Sequence, residues 1–254
     1  MKAKCLYLLL TGAALMAACQ GYSQSVQADS SRKIYKNVIR YNLSGALVFG
    51  VDKYIVLGYE RVLSPRKSVS INFGSAALPK LASIVTDSFK TEKSGDRKGY
   101  NFSIDYRFYL GKENKFNAPH GLYIGPYYSY NHFDNKQDWL HIASAGSSQV
   151  STNSKLNIST VGFEVGYQFI IGKHFAIDMI MVGPGLGFYK YQATFTSNLS
   201  EAQKEQLKEA LKQTITQKFP GMNYVFSDQK IDADGVMKSS TLGYRYIVHI
   251  GYNF

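Results

Sequence analysis

The chain has 254 residues, room for one large domain or two small ones, and a formal net charge of +11. Its two cysteines, Cys5 and Cys19, both fall near the start, which leaves the rest of the chain without disulfide or thiol chemistry. Past residue 24 no apolar run approaches the roughly 20 residues that a membrane helix needs, so a membrane role requires strands.

The first residues predict a secretory leader. Lys2 and Lys4 form a basic start, 6–18 is apolar, and the small residues Gly21 and Ser23 place cleavage before Gln24. The leader then covers 1–23, and a short segment over 24–36 follows it. Ala17-Ala18-Cys19 also fits a lipoprotein signal, with Met16 where such signals prefer Leu, so lipidation of Cys19 is a second reading. Removing Lys2 and Lys4 takes the net charge from +11 to +9. A basic chain with 20 Tyr and 15 Phe can suggest nucleic acid. Here the aromatics alternate within strands and the lysines sit between them, so an anionic lipid surface is the better partner and no nucleic acid is expected.

Eight segments with a period of two follow. The first covers 37–49, with Ile39, Tyr41, Leu43, Leu47 and Phe49 on one face. The second (54–63) and third (67–77) carry Ile55, Leu57, Tyr59 and then Val69, Ile71, Phe73. The fourth (98–110) alternates without a break from Tyr100 to Leu110. The fifth (121–132), sixth (156–171) and seventh (174–192) follow, and the parity of the seventh fails past Gly183-Pro184-Gly185, which predicts a bulge there. The eighth runs from Thr241 to the end, with Leu242, Tyr244, Tyr246, Val248, Ile250, Tyr252 and Phe254 on one face.

The connections alternate between short turns (64–67, 111–120, 172–173) and a side holding 50–53 and the long segments 78–97, 133–155 and 193–240. That is the layout of an outer-membrane barrel. The polar faces carry small residues, a few Arg and carboxylates, and almost no lysine, which suits a crowded interior. The fold expected over 37–254 is all-β: an eight-stranded antiparallel up-and-down transmembrane β-barrel with one short extracellular helix in the last loop. It would sit in a Gram-negative outer membrane with both termini periplasmic, in contact with outer-membrane lipid and lipopolysaccharide. A soluble, lipocalin-like lipid-binding barrel is the alternative, since alternation alone does not say which face is inside.

Three stretches add a family resemblance. Gly58-Tyr59-Glu60-Arg61-Val62-Leu63-Ser64, Ile104-Asp105-Tyr106-Arg107-Phe108-Tyr109 and Gly121-Leu122-Tyr123-Ile124-Gly125-Pro126-Tyr127-Tyr128 resemble the DUF3575 group of small outer-membrane barrels found mainly in Bacteroidota. The likeness covers roughly 37–192 and the final strand. It implies fold and place, and no activity. The layout is also similar, more distantly, to the eight-stranded domain of OmpA-type proteins. The aromatic ending, Tyr252 and Phe254, resembles the signal that the barrel-assembly machinery reads during biogenesis.

Parity places Arg40, Arg107, Arg245 and His249 inside with Glu60, Asp105, Glu164 and Asp178. Isolated buried charges are costly, so these must pair. The expected result is a polar plug that holds the barrel's shape, or alternatively a gate whose pairs exchange, and in either case no large open pore. The five histidines show no metal-ligand spacing, and neither a metal nor a cofactor is expected. Ser129, His132 and Asp134 are the one trio that would suit a lipid A-modifying enzyme, but a catalytic triad is defined by geometry, and no enzyme is expected.

The insertion over 193–240 predicts a helix over about 200–218, opened by a capping box at Ser200-Glu201-Ala202-Gln203 and ended by Pro220-Gly221. Leu207, Leu211 and Ile215 form a narrow stripe on it. That stripe lays the helix over the barrel mouth, or docks a surface partner reached through the loops.

Overall fold

The computed structural model describes residues 35–78, 89–143, 146–195, 200–218, 222–226, 231–232 and 234–254. The expected leader over 1–23, with Cys19 in it, lies outside the described residues, as do 24–34.

Eight antiparallel strands pair in sequence order, and the first closes on the last. They are β1 (Asn37–Asn42), β2 (Tyr54–Ser64), β3 (Lys67–Ala76), β4 (Phe89–Tyr109), β5 (Gly121–Ala143), β6 (Gly146–Ile171), β7 (Phe175–Phe195) and β8 (Val236–Asn253). The expected eight-stranded barrel is the observed one. Pairing carries Ile39 through Tyr59, Ile71, Ile104, Tyr128, Val161 and Leu186 to Leu242. Ile39 itself pairs with Tyr252, ten residues further along the same strand. That offset tilts the strands by roughly 40° and leaves an interior just wide enough for side chains.

Five strand boundaries differ from the sequence expectation, one of them the start of β8, which lies at Val236 and not at Thr241. The first strand, expected over 37–49, stops at Asn42, and a helix α1 (Leu43–Phe49) follows. Asn42 caps it by accepting from the Gly45 amide at 2.9 Å, and Gly50 ends it with φ 101°, a conformation that glycine adopts without strain. Leu43 and Leu47 share a face in a strand and also in a helix, at i and i+4, so periodicity does not separate the two. Of the segments expected as loops over 78–97 and 133–155, the described residues are largely strand, because β4 begins at Phe89, β5 reaches Ala143 and β6 starts at Gly146.

Those extensions are masked by a reversal of the apolar face. Low on β5, Ile124 and Tyr128 point outward and are exposed, while Tyr123 and Tyr127 are buried. Higher up, Phe133 and Trp139 point inward and are buried, and their outward neighbours are Asp134, Lys136 and Asp138. Strands β6, β7 and β8 reverse in the same way: Phe163, Phe188 and Leu242 are exposed outside, and Leu156, Tyr191 and Met237 are buried inside. An irregularity was expected past Gly183-Pro184-Gly185; the register shift lies just before it, between Ile180 and Gly183.

The insertion forms α2 (Glu201–Lys218) and α3 (Met222–Phe226), the second of which was not expected. Ser200 and Gln203 make the predicted capping box, with amide-to-side-chain bonds of 2.9 and 3.4 Å. Lys204, hydrogen-bonded to Glu201 at 2.7 Å, holds that exposed carboxyl below its ordinary value. Among the described residues no helix is long and apolar enough to cross a membrane.

Candidate functional site

Inward parity delivers charge to one level of the barrel from six strands. Arg40 comes from β1, Glu60 from β2, Asp105 and Arg107 from β4, Glu164 from β6, Asp178 from β7, and Arg245 and His249 from β8. All but Arg245 are at most 2% exposed, and the Arg245 side chain keeps 12%.

Asp178 is the hub of the cluster. Its carboxylate lies 2.7 Å from Arg40 and 2.9 Å from Arg107. It also accepts from the Tyr123 hydroxyl at 2.6 Å, and His249 Nδ1 is 3.2 Å away. Arg107 reaches Glu60 at 3.5 Å and Glu164 at 3.8 Å, and its guanidinium stacks 4.3 Å from the Tyr123 ring centre. Arg245 bridges Asp105 and Glu164 and lies 3.8 Å from the Tyr127 ring centre. Ser68 and Tyr109 donate to Glu60 at 2.5 and 2.9 Å.

Burying so many ions is tolerable only because each has opposite charge and hydrogen bonds around it. The result balances most of the charge, three guanidiniums against four carboxylates, and fills the lumen at that level. The sequence pattern placed the charges inside but missed Tyr109, Tyr123, Tyr127 and Gln168 as their partners. The signal was there: these residues share the inward parity of Asp105, Arg107 and Glu164.

Directly above the plug is a cavity of about 150 Å³. Asn42, Asn72, Asn101, Asn131, Ser103 and Ser129 line it, with Arg245 and His249 at its floor and Tyr54 above. Tyr54 also belongs to the next layer, an apolar core that fills the long-loop end. There Leu207 and Leu211 of α2, with Val225 and Phe226 of α3, pack with Trp139, Leu156 and Met237 of the barrel. The Trp139 indole donates to Thr152 Oγ1 at 2.9 Å.

That packing corrects the docking reading of the helix. Leu207 and Leu211 are buried in the chain's own core, so a partner has no apolar stripe to hold there. The side chain of Ile215 lies outside the described residues. The Ser129, His132 and Asp134 trio is not assembled either. Ser129 lines the cavity, whereas His132 stacks outside on Tyr100, ring centres 5.3 Å apart, with Nδ1 2.6 Å from Asn157 Oδ1. An odd separation along a strand sends side chains to opposite faces. At the other end of the molecule, Tyr252 and Phe254 lie exposed on the outer face, and Tyr252 stacks on His174 at 4.9 Å.

A family model described as a protein of unknown function, DUF3575, matches residues 54–226, well over half of the chain. The match begins at β2 and stops after α3, so it includes neither of the two strands that close the ring. No curated protein matches the chain.

Proposed function

The chain belongs to the DUF3575 family, and from that premise we propose that it is a small, non-enzymatic outer-membrane barrel with a shut lumen, serving envelope structure or surface contact. The observation that carries this reading is the reversal of the apolar face within single strands. Low on the barrel the outside is apolar all round, from Ile39 and Ile55 through Phe108 and Phe163 to Leu242. Above that belt the outside turns polar and the inside apolar. One strand has both patterns when its lower part lies in hydrocarbon and its upper part in water.

The dimensions agree. Along β8 the belt runs from Phe254 to Leu242, which at about 3.3 Å per residue and a strand tilt of this size is roughly 30 Å, the thickness of a bilayer's hydrocarbon. The short turns then face the periplasm with both termini. The tall sheet and the polar face of α2 face outward, where they meet lipopolysaccharide and any surface partner. Tyr252 and Phe254 serve the assembly machinery. A soluble lipid-binding barrel would need the opposite arrangement, with an apolar lumen within the belt and a polar outside.

Cell fractionation tests the proposal. The protein should remain with the outer membrane until detergent is added, and should migrate faster on gels before boiling than after. Release into a detergent-free soluble fraction would sink it.

A further inference from the structure

The outer wall above the apolar belt matches most of its charge. Lys98 lies 3.9 Å from Asp96 on its own strand and pairs in register with Asp134 of β5. Lys155 of β6 faces the same Asp134 from the other side. Lys136 stands between Asp134 and Asp138 on one face of β5.

β7 and β8 break that pattern, because Lys190 pairs directly with Lys238. Both are exposed, and their inward neighbours Tyr191 and Met237 are buried, so both ammonium groups leave the same outer face. Like charges directly opposite one another destabilise a sheet. Among the described residues neither lysine forms an ion pair. On β6, Asn157 pairs with Lys190. Its side-chain oxygen accepts from the Tyr130 hydroxyl at 3.0 Å, so its amide nitrogen is the group left to donate.

Height and chemistry select the partner. Lys238 lies four residues beyond Leu242, the upper limit of the belt on β8, which at the same rise and tilt is about 10 Å. Head groups occupy roughly the first 5–7 Å beyond the hydrocarbon, and a lysine stem reaches back across the rest. An anion held between the two ammonium groups removes the repulsion that the sheet leaves. A phosphate monoester carries about 1.5 to 2 negative charges and three acceptor oxygens, enough for two ammonium groups and an amide. Directly below, Phe188 and Leu242 are exposed on the belt. We propose that Lys190 and Lys238, with Asn157, form a phosphate clamp that fixes one lipid A molecule of lipopolysaccharide to the β6–β8 wall, its acyl chains lying over Phe188 and Leu242. This rests on the proposed membrane location, which turns the long-loop end outward.

The test uses the full chain, purified in detergent and mixed with lipid A, with bound lipid counted by native mass spectrometry. The parent protein should keep one lipid A, about tenfold over dephosphorylated lipid A and over phosphatidylglycerol. Lys190→Gln with Lys238→Gln should lower that retention about thirtyfold, two lysine–phosphate attractions being lost. Lys136→Gln with Lys155→Gln removes as much charge from the acid-matched part of the wall and should change retention less than about threefold. Lys238→Glu alone gives the same loss should the first double variant not fold, and in lipid-free detergent it should raise the urea midpoint by ending the repulsion. A folded barrel that keeps no lipid A, keeps the dephosphorylated form or phosphatidylglycerol equally, or loses lipid A equally in both double variants overturns the clamp and leaves the membrane location standing. A chain that leaves cells without detergent overturns the location, and the clamp with it.

Discussion

Arg40 and Asp178 form a buried ion pair of 2.7 Å across 138 positions of sequence, tying the first strand to the seventh through the lumen. Removing one partner leaves the other charge buried and uncompensated. Asp178→Ala should therefore destabilise the folded barrel by about 3–5 kcal/mol, since it strands Arg107 as well. A urea titration followed by the unboiled gel band measures this, and an unchanged midpoint would count against the pair as a stabilising element.

The helical cap makes a separable prediction. Leu207 is fully buried among core residues of the upper barrel. Leu207→Ala should cost about 2–5 kcal/mol locally and let protease cut the 200–226 segment sooner, while the lower barrel stays folded on gels. Equal cleavage of variant and parent would mean that the helix is held by something other than its apolar stripe.

Trp139, the single tryptophan, is a built-in reporter. It lies wholly inside the upper core, so its emission should be short in wavelength and insensitive to brominated acyl chains in the surrounding bilayer. A second indole at the belt, introduced as Tyr128→Trp, should be quenched by the same lipids. Quenching of Trp139 in the parent protein would place the apolar interior of the upper barrel in lipid, and the belt would then lie at the wrong level.

The lumen is closed twice, by the ion plug and by the apolar core beneath α2. Planar-bilayer recordings of the purified protein should show no stable, porin-sized conductance. Deleting 200–226 removes one closure only, so the deleted barrel should stay silent too. A steady large conductance from the parent protein would contradict the plug.

The strand count, the inward charges and the capping box at Ser200 were legible in the sequence because each depends on local periodicity or spacing. The tall upper sheet was not. Phe133 and Trp139 obey the same period of two as Ile124 and Tyr128 but in the opposite phase, and a reader following one phase takes the change for the end of a strand. The early stop of β1 was hidden because a short apolar run satisfies helix and strand spacing alike. The tyrosines around Asp178 are disguised by their chemistry, which suits the outer face, although position alone sets them inside. The burial of Leu207 depends on a core that also draws Trp139 and Met237 from distant strands, which no local pattern encodes.

β1 is six residues long and shares five paired positions with each neighbour, so it is the shortest stave of the barrel. Its grip comes from within: Arg40 reaches Asp178, Glu60 and Asp105 from three other staves. The ring thus behaves as a hoop with its clasp on the inner side. That short stave is held by its two ladders and by one guanidinium that meets its acid across the lumen. A chain lacking either group should be left ajar at that one joint, with the other seven seams drawn shut.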